Sequence, residues 1–223
     1  MKNDCAQLFL QIFNNTARYH HRYEVFRDFV TMAGLAIQNT FLKSEKIEQE
    51  YLSIVKRYEV RDMTQMSHLL AAVVQGLEME HRDFLGSLYM QLDFGSQHIG
   101  QFFTPYDVSR MMAKMLMTDS DSGSELEQRG YIRLSEPACG AGGMAIAFAE
   151  AMLEQGLNPQ RQLVVTCIDL DPVAAMMCYI QLSLLGIPAE VIIGNALSLQ
   201  ATRTLYTPMY YLGCWALKGL AIE

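Results

Sequence analysis

Residues 131 to 169 tolerate very few local folds. A short strand-like run, Tyr131-Ile132-Arg133-Leu134, leads into Ser135-Glu136-Pro137-Ala138-Cys139-Gly140-Ala141-Gly142-Gly143, and that turn opens an apolar helical run from Met144 to Leu153. Glycine has no Cβ, so a glycine-rich turn between a strand and a helix lets backbone approach a ligand closely. About 30 residues after the turn begins, a second apolar run, Leu163 to Ile168, ends in Asp169. A nucleotide-binding βαβ unit places its ribose-holding carboxylate at that distance.

The alternation continues downstream. A helix is expected over Pro172–Leu185, a strand over Glu190–Ile193, and a fourth strand within Tyr206–Trp215. Strands and helices alternating at this spacing predict a parallel α/β sheet. Upstream, apolar residues recur at helical spacing, predicting helices from Asp4, over Arg22–Phe41, from Ser44 to Lys56, over Thr64–Met79 and over Phe84–Leu92. Gly95–Thr104 reads as a loop, and Pro105 as the first turn of a helix to about Met117, capped by Thr104. The polar, turn-rich stretch Thr118–Arg129 reads as a surface loop. The expected organisation is a helical N-terminal domain over 1–95 and a ligand-binding α/β domain over 96–223.

Composition sets limits on partners and cofactors. The net charge is −7, and it is uneven: residues 1–62 hold nine Lys/Arg against eight Asp/Glu, whereas the rest holds eight against sixteen. Little counterion release is available to such an acidic surface, so DNA binding by the chain alone is expected to be weak. No apolar run is long enough to span a bilayer, and the polar start Met1-Lys2-Asn3-Asp4-Cys5 lacks a leader-like core, so a cytoplasmic protein without membrane contact is expected. The cysteines, Cys5, Cys139, Cys167, Cys178 and Cys214, are odd in number and unpaired in spacing, and the five histidines form no ligand pattern. Reduced thiols and no metal are therefore expected.

At two places the chain resembles a known family. Glu136-Pro137-Ala138-Cys139-Gly140-Ala141-Gly142-Gly143 is similar to the Asp-Pro-Ala/Thr-Cys-Gly-Ser-Gly-Gly signature of adenine-N6 DNA methyltransferases. Gln101-Phe102-Phe103-Thr104-Pro105 resembles the companion signature of the modification (M) subunits of type I restriction–modification systems. The resemblance implies an α/β fold with a Rossmann-like S-adenosylmethionine-dependent methyltransferase core, here a short and incomplete sheet, preceded by the helical domain. It also implies partners: DNA and a specificity subunit or other protein chain. A short sheet leaves an edge that a partner chain or a second copy would cover.

The same resemblance assigns roles. Pro137, Ala138, Gly140 and Gly142 would give the methionine portion of S-adenosylmethionine its close backbone approach, and Glu136 would meet the ammonium group. Asp169, followed by Leu170, would accept from the ribose hydroxyls, and Asn195 with Ala196 would contact the adenine amino group. Phe103, Thr104 and Pro105 would fold back over the cofactor. The family's catalytic Asn/Asp-Pro-Pro-Phe/Tyr is absent, and Thr207-Pro208-Met209-Tyr210 stands in the expected window. Thr207, Pro208 and Tyr210 are the candidate catalytic residues, with a hydroxyl in place of the amide that accepts from a flipped adenine. Two readings lead: an adenine-N6 methyltransferase-like enzyme, and a catalytically impaired homologue acting as a cofactor-binding interaction partner or decoy. A third, methylation of a substrate other than DNA, fits the acidity, but no residue supports it.

Overall fold

A computed structural model describes residues 4–92, 94, 103–118 and 120–218. Five helices come first: α1 (Asp4–Asn15), α2 (Arg22–Leu42), α3 (Glu45–Val55), α4 (Val60–Met79) and α5 (Phe84–Gln91). They follow the apolar periodicity, and α4 begins one turn earlier than its apolar stripe suggests. The expected loop over Gly95–Thr104 falls mostly outside the described residues. After it come α6 (Tyr106–Thr118), α7 (Ser120–Arg129), β1 (Ile132–Glu136), α8 (Gly143–Glu154), α9 (Pro159–Gln162), β2 (Leu163–Asp169) and α10 (Pro172–Leu184). β3 (Ala189–Asn195), β4 (Gln200–Tyr206), α11 (Pro208–Leu212) and α12 (Trp215–Lys218) complete the order. Among the described residues, no helix is long and apolar enough to cross a membrane.

The sheet runs β1-β2-β3-β4. β1, β2 and β3 are parallel, so their carboxyl ends, Glu136, Asp169 and Asn195, lie along one edge. β4 is antiparallel to β3, with Asn195 opposite Gln200 and Glu190 opposite Tyr206. This corrects the expected fourth strand within Tyr206–Trp215, where the chain instead forms α11 and α12. The physical reason is connection length. A parallel crossover needs a dozen or more residues, whereas Ala196–Leu199 supplies only a hairpin turn, with Leu199 at φ +55°.

One hydrophobic core runs through both predicted segments. α10 packs against β2 and β3 on the sheet side and against α2 and α5 on the other. In the helical segment, Phe9, Phe13, Phe26, Phe29 and Phe94 form an edge-to-face cluster. Arg203 on β4 ties the sheet to α3 through a two-pronged ion pair with Glu50, at 3.0 and 2.5 Å.

Thr118–Arg129 also departs from expectation, since Ser120–Arg129 is helical. Leu126 is its apolar anchor on the core. Glu125 accepts from the Arg133 backbone N–H at 3.1 Å and from the Arg133 Nε at 2.9 Å, so the helix is fastened along the outer edge of β1. Polar composition alone conceals a helix that Leu126 and Glu125 help to hold.

Candidate cofactor site at the glycine-rich turn

The turn after β1 is built by hydrogen bonds to β2. The Cys139 N–H donates to the Ile168 carbonyl at 2.9 Å, extending the β1–β2 register by one step. The Gly140 N–H donates to Asp169 Oδ2 at 2.8 Å, and the Asp171 N–H to Asp169 Oδ1 at 2.9 Å. Asp169 thus pins the turn and shapes its own loop, while each oxygen keeps a lone pair for a ligand. Gly140 and Gly142 have φ of +53° and +93°, a backbone region that side chains rarely adopt. A Cβ on Gly140 would stand 2.8 Å from the Phe103 ring, and one on Gly142 would stand 2.9 Å from Cys178 Sγ.

Phe103 reaches the turn from the far side of the chain and packs on Tyr89, ring centroids 5.3 Å apart. The Pro105 carbonyl then accepts from the Val108 and Ser109 N–H groups, starting α6. The result is a cavity of about 110 Å³ lined by Asp83, Phe103, Thr104, Ser109, Glu136, Ala138 to Ala141, Gly143 and Met144. None of these lining residues is basic, and two are carboxylates. Burial pushes the Glu136 carboxyl up, with the Asp169 charge adding to it and the Ala138 N–H opposing. Burial likewise raises Asp171, whose Oδ1 caps α10 by accepting from the Val173 N–H. The lining offers acceptors and no basic side chain, which suits a ligand with a cationic group.

The structure brings Phe103, Thr104, Glu136, Ala138 and Gly140 around that cavity, with Pro137 beside it in the turn. Asp169, exposed Leu170, Asn195 and Ala196 lie along the same carboxyl edge, which is open to solvent there. The Asn195 side-chain oxygen accepts from the Leu197 and Ser198 N–H groups at 2.9 and 3.2 Å, bonds with which an adenine amino group would compete.

The candidate catalytic residues are not brought to this edge. Thr207, Pro208 and Tyr210 follow β4, and β4 ends beside the start of β3. Ala189 to Asn195 spans six residue steps, roughly 20 Å of strand. The Thr207 hydroxyl is fully buried, donating to the Ile187 carbonyl and accepting from the Ala189 N–H, both at 2.8 Å. Tyr210 packs on Tyr206, with centroids 4.7 Å apart. The hairpin carries Thr207, Pro208 and Tyr210 to the opposite end of the sheet. Thr207→Val is expected to cost about 2–4 kcal/mol in urea unfolding, because it leaves two buried backbone groups unpaired. Cofactor affinity of the folded fraction should be unchanged, and a cofactor-specific loss would return Thr207 to the site.

Three features escaped sequence reasoning. Cys139, Cys167 and Cys178 have their sulfurs within 4.8 Å of one another, all buried beneath the turn. The close approach of the three thiols to one another pushes Cys139 and Cys178 up and Cys167 down. Asp83, from the helical segment, lines the cavity. Gln181 is fully buried on α10: its Nε2 lies 2.8 Å from both Asp83 Oδ1 and the Ala141 carbonyl, and its Oε1 accepts from the Leu85 N–H at 2.9 Å. A lone amide inside the apolar run Val173–Leu184 was the available signal, since a buried amide needs partners.

The N-6 DNA methylase family model matches residues 80–208, more than half of the chain. The chain belongs to that family. The match begins just before Asp83, so α5 lies inside the family unit together with the sheet. No curated protein matches the chain. Among solved structures, it is similar to a protein from Listeria monocytogenes described as a class I S-adenosylmethionine-dependent methyltransferase, at 13% identity over 84% of this chain and 52% of the other, with a TM-score of 0.43. It is also similar to the type I restriction–modification system methyltransferase subunit from Streptococcus thermophilus, at 12% identity over 84% of this chain and 56% of the other, with a TM-score of 0.41. The chain spans about half the length of both.

The residues present fit S-adenosylmethionine. A ligand with an ammonium and a sulfonium meets carboxylates without a competing base, and the glycines leave the space that a Cβ would fill. When bound, that cofactor supplies an electrophilic methyl group on sulfur.

Proposed function

We propose that this member of the N-6 DNA methylase family binds S-adenosylmethionine at the glycine-rich turn and serves as an adenine-N6 methyltransferase-like unit resembling a modification subunit. The observation that carries this reading is the acid-lined cavity at a turn pinned by Asp169. In it, Gly140 and Gly142 give the ligand close backbone approach, Glu136 faces its positive end, and Asp169 holds the ribose along the open edge. Phe103 and Thr104 cover the turn, and Pro105 starts the helix behind them.

A second reading gains support from the placement of Thr207-Pro208-Tyr210 far from that edge. On this reading the chain holds the cofactor but does not orient adenine by itself, acting as a partner of another chain. DNA and a specificity or second methyltransferase chain are the partners this implies.

Calorimetric titration with S-adenosylmethionine tests the first reading. Micromolar binding is expected, and Asp169→Ala should weaken it by about 1.5–3 kcal/mol, since it removes charged hydrogen bonds and frees the turn. No heat and no thermal shift at saturating cofactor would overturn the reading. Tritiated methyl incorporation into duplex DNA separates the two: silence from the chain alone with intact cofactor binding supports the partner reading, and brisk transfer supports the enzyme.

A further inference from the structure

The cavity under the turn, about 110 Å³, is lined by Asp83 and Ser109 as well as by the turn itself. Two of its lining groups are buried polar side chains. Asp83 is 5% exposed, and its Oδ1 accepts from the Gly86 N–H and from Gln181 Nε2, both at 2.8 Å. Its Oδ2 lies 3.4 Å from where a Gly143 Cβ would stand, at the start of α8. Ser109 is fully buried, and its Oγ has no partner among the described residues.

Arg82, the adjacent cation, pairs with Glu80 at 3.6 Å and lies over the Phe84 ring. Burial pushes the Asp83 carboxyl up, against the Gln181 and Gly86 hydrogen bonds. A group with several N–H donors and a positive charge would satisfy Asp83 Oδ2 and the Ser109 hydroxyl together. The N-terminus of α8, bordering the same cavity, favours a negative group next to it. An α-amino acid has both groups one carbon apart.

We propose that Asp83, delivered by the helical segment, joins Glu136 of the same lining in receiving the α-ammonium of the ligand's amino-acid end, with its α-carboxylate at the start of α8. This deepens the cofactor reading and rests on it. Asp83 and Ser109 are then binding residues. Gln181 is a positioning residue, because it holds Asp83 and the Ala141 carbonyl in one arrangement without facing the ligand's charge. The helical segment is part of the site in this account, and not only an accessory to it.

The test uses two ligands that differ in that head alone. S-adenosylhomocysteine carries the amino-acid end, and 5′-methylthioadenosine lacks it. Both are titrated calorimetrically into the full chain as wild type, Asp83→Asn and Ser109→Ala. Asp83→Asn keeps an acceptor for the Gly86 N–H and is expected to lose about 10- to 100-fold in affinity for S-adenosylhomocysteine. Its affinity for 5′-methylthioadenosine should stay within about twofold, which also shows that the variant folds. Ser109→Ala should lose less, in the same selective pattern. Equal affinity of wild type and Asp83→Asn for S-adenosylhomocysteine overturns the proposal, and so does equal weakening toward both ligands. Wild-type protein that binds neither ligand overturns the cofactor reading itself, and the proposal falls with it.

Discussion

Gly142→Ala is expected to destabilise the protein by about 2–5 kcal/mol and to abolish measurable cofactor binding at micromolar concentration. Left-handed backbone costs a residue with a Cβ about 1–2 kcal/mol. Overpacking adds about 1–3 kcal/mol, because the new methyl meets Cys178 Sγ at 2.9 Å and Cys178 Cα at 3.4 Å. Cys178 is fully buried on α10 and cannot withdraw, so the turn must shift, and the Gly140 N–H with it. Gly156→Ala is the matched comparison. Gly156 has φ of +75° but nothing within 4 Å of a Cβ, so only the backbone cost of about 1–2 kcal/mol applies. Urea unfolding of both variants measures the difference, and equal losses would remove the packing half of the argument.

Gln181→Met should cost about 3–5 kcal/mol, among the largest effects open to a single substitution. The change preserves volume but strips the Leu85 N–H and the Ala141 carbonyl of their partner and leaves Asp83 Oδ1 with one. Each buried group left unpaired costs about 1–3 kcal/mol. Gln38 offers the contrast: it is also buried, yet its Oε1 has no partner among the described residues. Gln38→Met is expected to be close to neutral, because there is little hydrogen bonding to lose there. Chemical denaturation at neutral pH checks the pair, and a small effect at Gln181 would show that water replaces the amide.

What could be read from sequence was local. Gly140 and Gly142 declare a turn because of what they lack, and Asp169 declares a strand end because a carboxylate closes an apolar run. The helices of the first ninety residues follow from spacing alone, as the buried faces of α2 and α4 show. The misses were decided by distant contacts. The β4 hairpin depends on Ala196–Leu199 being too short for a crossover, a length that was visible but outweighed by the resemblance of Thr207-Pro208-Met209-Tyr210 to a motif. Asp83 and Gln181 are 98 positions apart, and the meeting of Cys139, Cys167 and Cys178 needs three elements placed at once. No periodicity encodes such meetings.

The helix α7 bears on how the molecule behaves in a crowd. An open strand edge is a template on which another chain can polymerise, and β1 has one in this sheet order. The Glu125 carboxylate occupies the Arg133 N–H that a new strand would need, and the Arg133 side chain holds the carboxylate in place. A second copy adding a strand there would have to displace both and would leave a charge behind. The stretch that composition presents as filler thus acts as a guard against aggregation, and its worth will be seen less in how tightly the protein folds than in how concentrated it can become before it precipitates.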